Sequence, residues 1–139
     1  MKVRFSAIML LLSSIIGLAA CGSGASIEDT IWKLESYGEK GNLQTAIQDT
    51  EITIEFKSAE SKIAGSGGCN RYFGGYEIIK NELTIIPPIG STMMACPEPI
   101  MDQEQEYFKL LETTETYQIQ NGKLTISGSG NKILVFVAQ

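Results

Sequence analysis

Tyr117-Gln118-Ile119-Gln120-Asn121-Gly122-Lys123-Leu124-Thr125-Ile126-Ser127 carries the clearest folding instruction in the chain. Asn-Gly accepts the positive φ angles of a two-residue turn, and the runs on either side alternate apolar and polar residues as hairpin strands do. Downstream, Gly128-Ser129-Gly130 turns the chain into Lys132-Ile133-Leu134-Val135-Phe136-Val137. Its consecutive apolar positions predict a strand buried on both faces or one that closes the sheet. Upstream the two-residue period returns. Ile52, Ile54 and Phe56 alternate with Glu51, Thr53, Glu55 and Lys57, Trp32 and Leu34 share one face of an earlier strand, and residues 62–65 begin another. Residues 76–80 and 83–86 flank Asn81-Glu82 as a further hairpin, which Pro87-Pro88 is expected to stop. Turn residues recur every 8 to 12 positions or so, the spacing of an antiparallel barrel or sandwich.

One stretch departs from this period. Pro97-Glu98-Pro99 leads into IMDQEQEYFKLLE, where Met101, Phe108 and Leu111 fall on one helical stripe with Tyr107 beside it. Early prolines and acids and a late Lys109 suit a helix and its dipole. The expected fold class is therefore mainly β (α+β): a small antiparallel β-barrel-like domain over residues 30–139, with one α-helix near residues 98–112 covering a barrel mouth.

The N-terminus reads as an address. Lys2 and Arg4 precede sixteen uncharged residues, 5–20, which end in Leu18-Ala19-Ala20-Cys21. These four residues resemble a bacterial lipobox, so residues 1–20 are expected to be a signal peptide and Cys21 the lipidated first residue. A plain secretory signal and a retained anchor helix are the rival readings. Residues 21–29, with Gly22-Ser23-Gly24, read as the lipidated Cys and a flexible tether. Such an anchor places the protein in the cell envelope, attached to the membrane by its acyl chains. No Asp follows Cys21, which in a two-membrane bacterium favours the outer membrane.

Composition narrows the chemistry. A chain of 139 residues with 43% hydrophobic and 19% charged residues fits one ordinary globular domain. Its net charge of −5 argues against nucleic acid as a partner. There is no histidine, which removes Ser-His-Asp and Cys-His nucleophile systems, imidazole zinc sites and a neutral-pH switch. Cys69 and Cys96 are left once Cys21 is set aside, an even pair in an oxidising compartment. They read either as a disulfide or as two buried free thiols. No cofactor or metal is expected.

Several residues invite a closer reading. Gly65, Gly67 and Gly68 point to a bulge or a close backbone approach, and the segment lacks the Lys of a phosphate-binding loop. Asn70 and Thr92 are expected to bond local backbone in turns. Arg71, Tyr72 and Tyr76 are expected at the barrel rim, with an exposed polar and aromatic surface as the rival reading, and one of Met93 and Met94 is expected in the core. Glu98, Asp102 and Glu106 share a helix face that reads as a solvated surface more readily than as a cation site. Glu51 and Glu55 share a strand face, without a spacing that identifies a catalytic pair.

Gly68-Cys69-Asn70, Thr92-Met93-Met94-Ala95-Cys96 and the downstream Glu104, Phe108 and Leu111 together resemble the META domain family of HslJ-like heat-shock and envelope lipoproteins. The resemblance runs from Trp32 to Leu134. It implies a small barrel with a helix, and gives Trp32, Gly68, Asn70, Thr92, Met94, Ala95 and Glu104 the standing of structural motif positions. It also suggests that the Cys69 and Cys96 segments lie close together, which favours the disulfide. The function it implies is a non-catalytic, stress-related binding or structural module, with an envelope protein or a small apolar ligand as partner. The alternative is an envelope hydrolase that works with carboxylates alone. No catalytic residue is assigned.

Overall fold

A computed structural model describes residues 24–139; Cys21 and the expected signal peptide, residues 1–20, lie outside the described residues. Nine strands and one long helix follow in the order β1 (Ile31–Glu39), β2 (Asn42–Thr45), β3 (Ile52–Lys57), β4 (Lys62–Gly67), β5 (Arg71–Ile79), β6 (Glu82–Ser91), α1 (Glu98–Glu112), β7 (Thr114–Gln120), β8 (Lys123–Gly128) and β9 (Lys132–Ala138). Every strand pairing is antiparallel, and β9 pairs back onto β1, so β1 and β3 to β9 close an eight-stranded barrel. The short β2 folds back against the second half of β1 and is exposed along its whole length. No helix among the described residues is long and apolar enough to cross a membrane.

Alternation sets which residues fill the barrel. Trp32, Leu34, Ile52, Ile54, Phe56, Ile63, Leu83, Leu124, Leu134 and Phe136 point inward and are buried. The Asn121-Gly122 turn adopts the positive φ angles expected of it, 53° and 75°. The apolar run in β9 resolves in favour of closure. Leu134 and Phe136 are buried, while Ile133, Val135 and Val137 are half-buried on the outer face.

The weakest seam lies between β6 and β7, which share the single register pair Glu82 with Thr116. The helix joins these two strands in sequence and packs over that end of the barrel, sending Tyr107 into the core against Phe136 and Tyr72. The Tyr72 hydroxyl donates to the Thr53 carbonyl at 2.8 Å and meets the Tyr107 hydroxyl at 2.7 Å. Burial holds both phenols above their ordinary pKa.

Four expectations need correction. Pro87-Pro88 does not stop β6, which runs to Ser91. The prolines sit where the register jumps from Gly75–Ile86 to Phe73–Gly90, so their missing N–H groups fall in a bulge. Tyr72 and Tyr76 are not at the rim; they are 2% and 5% exposed, with hydroxyls bonded to Thr53 and Glu28, and only Arg71 faces solvent. The buried stripe of α1 is Gln103, Glu104, Tyr107, Leu110 and Leu111, leaving Met101 and Phe108 half-buried at its edge. Finally, the folded unit begins before Thr30. Ile27 is buried, its carbonyl accepts the Trp32 indole N–H at 3.0 Å, and Glu28 bridges to Phe56.

Residues 27–138 thus close the barrel on themselves, hold its core and contain both Cys69 and Cys96. That stretch has what an independently folding domain requires. Its two ends differ in character. The Ile27 segment lies with the β3–β4 turn, where Asp29 takes the Ser58 N–H and hydroxyl at 3.1 and 2.6 Å. The helix lies over the β4–β5 turn, at the opposite end of β4.

Candidate functional site

The β4–β5 turn, the irregular segment 92–97 and the first half of α1 meet around one buried side chain. Asn70 is 4% exposed and reaches in two directions. Its Nδ2 donates to Glu104 Oε1 at 2.6 Å and to the Met94 carbonyl at 3.4 Å. Its Oδ1 accepts the Met94 N–H at 2.6 Å and the Thr92 hydroxyl at 2.9 Å. Thr92 Oγ1 in turn accepts the Arg71 N–H. Asn70 and Thr92 therefore make long-range bonds, where sequence reading places local turn bonds. The amide of Asn70 imitates a strand partner for Met94, which has no other secondary structure to bond.

Glu104 completes the knot from the helix. It is 3% exposed, and its Oε2 accepts the Asn70 N–H at 2.6 Å and the Cys69 N–H at 3.1 Å. With Asn70 Nδ2 on Oε1, three N–H donors face the carboxylate, the arrangement that suits its ionised, acceptor-only form. The turn must come close for this. A Cβ on Gly67 would stand 2.6 Å from Glu104 Oε2, and Gly68 has φ of +106°, so both positions require glycine. Gln103 ties the other side of the helix, accepting the Ile47 N–H at 2.7 Å and donating to Thr50 Oγ1.

A disulfide joins Cys69 to Cys96, with Cα atoms 6.0 Å apart, and fastens the same turn to the end of segment 92–97. Between these two attachments the chain bows outward. Met93 and Met94 are 98% and 60% exposed, so neither enters the core. They form one wall of a groove of about 350 Å³ with Thr92 and Ala95; Met101, Gln105 and Phe108 of α1 form the other, and Asn70 and Glu104 lie at its base. The lining is mostly apolar. The motif positions Asn70, Thr92, Met94, Ala95 and Glu104 thus gather at this groove, with Gly68 in the adjoining turn, whereas Trp32 stands apart, fully buried in the barrel.

The acidic residues singled out from sequence lie elsewhere. Glu51 pairs with Lys33 at 3.6 Å and Glu55 with Lys57 at 3.9 Å, on the outer face of the barrel. Asp102 and Glu106 line a polar hollow of about 430 Å³ on the far side of α1, with Tyr37 and Gln44 opposite. Burial and then the Glu106 charge raise the pKa of Tyr37 there. Among the described residues, no group of three or more His, Cys, Asp or Glu side chains is placed to hold a metal ion.

The family model of the META domain matches residues 25–139. An NMR structure of a protein from Burkholderia xenovorans is similar at TM-score 0.68 and 24% identity, covering 81% of this chain and 83% of that one. A crystal structure of a DUF4847 family protein from Bacteroides vulgatus is similar at TM-score 0.59 and 15% identity, covering 80% and 93%. At these identities the solved structures speak to the fold alone. No curated protein matches the chain.

Proposed function

The chain belongs to the META domain family, and from that premise we propose that it is a lipid-anchored, non-catalytic binding module of a bacterial cell envelope, acting in the stress response. Its working surface is the groove between segment 92–97 and α1, and its partner is a small apolar ligand or an apolar segment of an envelope protein.

One observation carries this reading: two methionines stand exposed on a segment that is otherwise firmly held. Burying a methionine is worth about 1.5–3 kcal/mol, and flexible thioether side chains adapt to varied apolar partners. Covering Met93 and Met94 therefore supplies about 3–6 kcal/mol before ordering costs, which corresponds at best to a Kd of about 40 µM to 6 mM for a small ligand. The arrangement of the ends supports the same reading. The tether enters beside the β3–β4 turn, and the groove lies beyond the other end of β4, so the point of attachment and the groove are at opposite ends of that strand.

Two measurements test the proposal. Intact mass of the membrane-extracted protein should show residues 1–20 absent and acyl chains on Cys21, and Cys21→Ser should release the protein from the membrane. Titration of residues 24–139 with the uncharged fluorophore N-phenyl-naphthylamine should give saturable enhancement that Met94→Glu abolishes. A soluble, unmodified Cys21 removes the anchor from the account, and enhancement indifferent to Met94→Glu removes the groove.

A further inference from the structure

Residues 24–139 contain three methionines, Met93, Met94 and Met101, and all three line the one groove. An apolar wall is built as well from Leu or Ile, which fill the barrel throughout. What methionine adds is a neutral, polarisable thioether, a ligand that selects soft cations such as Cu(I) over hard or borderline divalent ions. Other soft ligands are lacking here. The chain has no histidine, and Cys69 and Cys96 are spent on each other in the disulfide. Glu104 is the single charged side chain of the groove and already accepts from three N–H donors, which leaves the neutral Ser91, Thr92 and Gln105 as the remaining polar lining.

From this juxtaposition we propose that the groove is a binding site for one soft monovalent cation, Cu(I), held by the thioethers of Met93, Met94 and Met101. The frame suits the task. Asn70 bonds both the N–H and the carbonyl of Met94, and the disulfide two residues on limits the loop. Met101 sits one helical turn before Glu104, which grips the same Asn70. Loop and helix are thus held to one another through a single buried residue, while three rotatable bonds per methionine let the sulfurs close on an ion. A net charge of −5 favours a cation over an anion.

The inference does not require an apolar partner, and one set of variants separates the two. Ag(I), which shares the preferences of Cu(I) and keeps its oxidation state in air, is titrated as the nitrate into residues 24–139 in chloride-free buffer. Calorimetry should give one ion per chain, with the methyl resonances of all three methionines shifting together. Met93→Leu/Met94→Leu/Met101→Leu preserves the apolar wall, so it should lose Ag(I) binding yet keep the fluorophore binding described above. Zn(II) and Ca(II) should leave the methyl resonances unmoved. Ag(I) binding that survives the triple substitution, methyl resonances that stay still, or no binding at all would overturn the site. Fluorophore binding that persists in any of those cases leaves the apolar reading standing.

Discussion

Glu104→Gln is the smallest change that loads the buried knot. The carboxylate accepts two backbone N–H groups on one oxygen and the Asn70 amide on the other. A neutral amide there can keep an oxygen toward the two backbone donors, which then turns its own NH₂ onto the NH₂ of Asn70. Asn70 cannot flip to relieve this, because its oxygen already serves Met94 and Thr92. One orphaned donor pair costs about 1–3 kcal/mol, and loss of charge assistance in the two remaining bonds adds about 1 kcal/mol. The total of about 2–4 kcal/mol lowers Tm by about 8–16 °C for a domain of this size. Urea unfolding of residues 24–139 with the disulfide intact should show the midpoint falling at constant m. Asn70→Asp alone sets two carboxylates against each other and should also destabilise. In the double variant the new NH₂ donates to the new carboxylate, whose other oxygen still accepts from Met94 and Thr92, so most of the loss should return. A cost below about 0.5 kcal/mol for Glu104→Gln, or a double variant no better than the sum of the singles, would refute the reasoning.

Three further outcomes follow from other parts of the molecule. Removing the disulfide with Cys69→Ser opens a loop with a sequence separation of 27 and should cost about 3.5 kcal/mol in denaturant unfolding; thiol labelling of the unreduced, denatured residues 24–139 should find no free thiol. Gly65→Ala sets a methyl into the Thr53 carbonyl and should cost about 1–3 kcal/mol or more, while Gly75→Ala, 3.4 Å from the Ile86 Cβ, should be tolerated in the same assay. Tyr72 and Tyr107 keep their protons in the fold above the ordinary phenol pKa of 10.0, whereas the unfolded chain releases them. Stability is therefore intact below that pH and falls above it by about 1.4 kcal/mol per pH unit for each of the two; an absorbance titration in which all tyrosines of the folded protein ionise together near 10 would contradict this.

Strand content was legible because half-buried strands repeat every second residue, a period that the fold interrupts only locally, at the register shifts of β1–β9, β5–β6 and β7–β8. Ile52, Ile54 and Phe56 point inward as their alternation requires, and Asn121-Gly122 makes its turn. The helix was legible in extent, since Glu98–Glu112 matches the expected span, but not in its buried face. Gln103 and Glu104 look solvated in a one-dimensional pattern. They are buried because their partners arrive from the turn at Asn70 and the segment at Ile47 and Thr50, through bonds 34 to 56 residues apart in sequence. The same long-range bonding misplaced Met93 and Met94. Apolar character predicts core, and only the attachments at Asn70 and Cys96 show why the chain between them is held outside it. The motif residues carried a signal of place, in that Gly68, Asn70, Thr92, Met94, Ala95 and Glu104 do converge, without any signal of what the convergence leaves open.

The most direct test of the groove as the working surface is amide chemical-shift mapping of residues 24–139 during titration with N-phenyl-naphthylamine. Shifts should concentrate at Asn70, Met93, Met94, Ala95, Met101 and Phe108, with Asp102, Glu106 and the outer faces of β3 and β5 unmoved. Shifts centred on the exposed Phe73 and Ile86 of the barrel wall, or spread evenly over the domain, would contradict it.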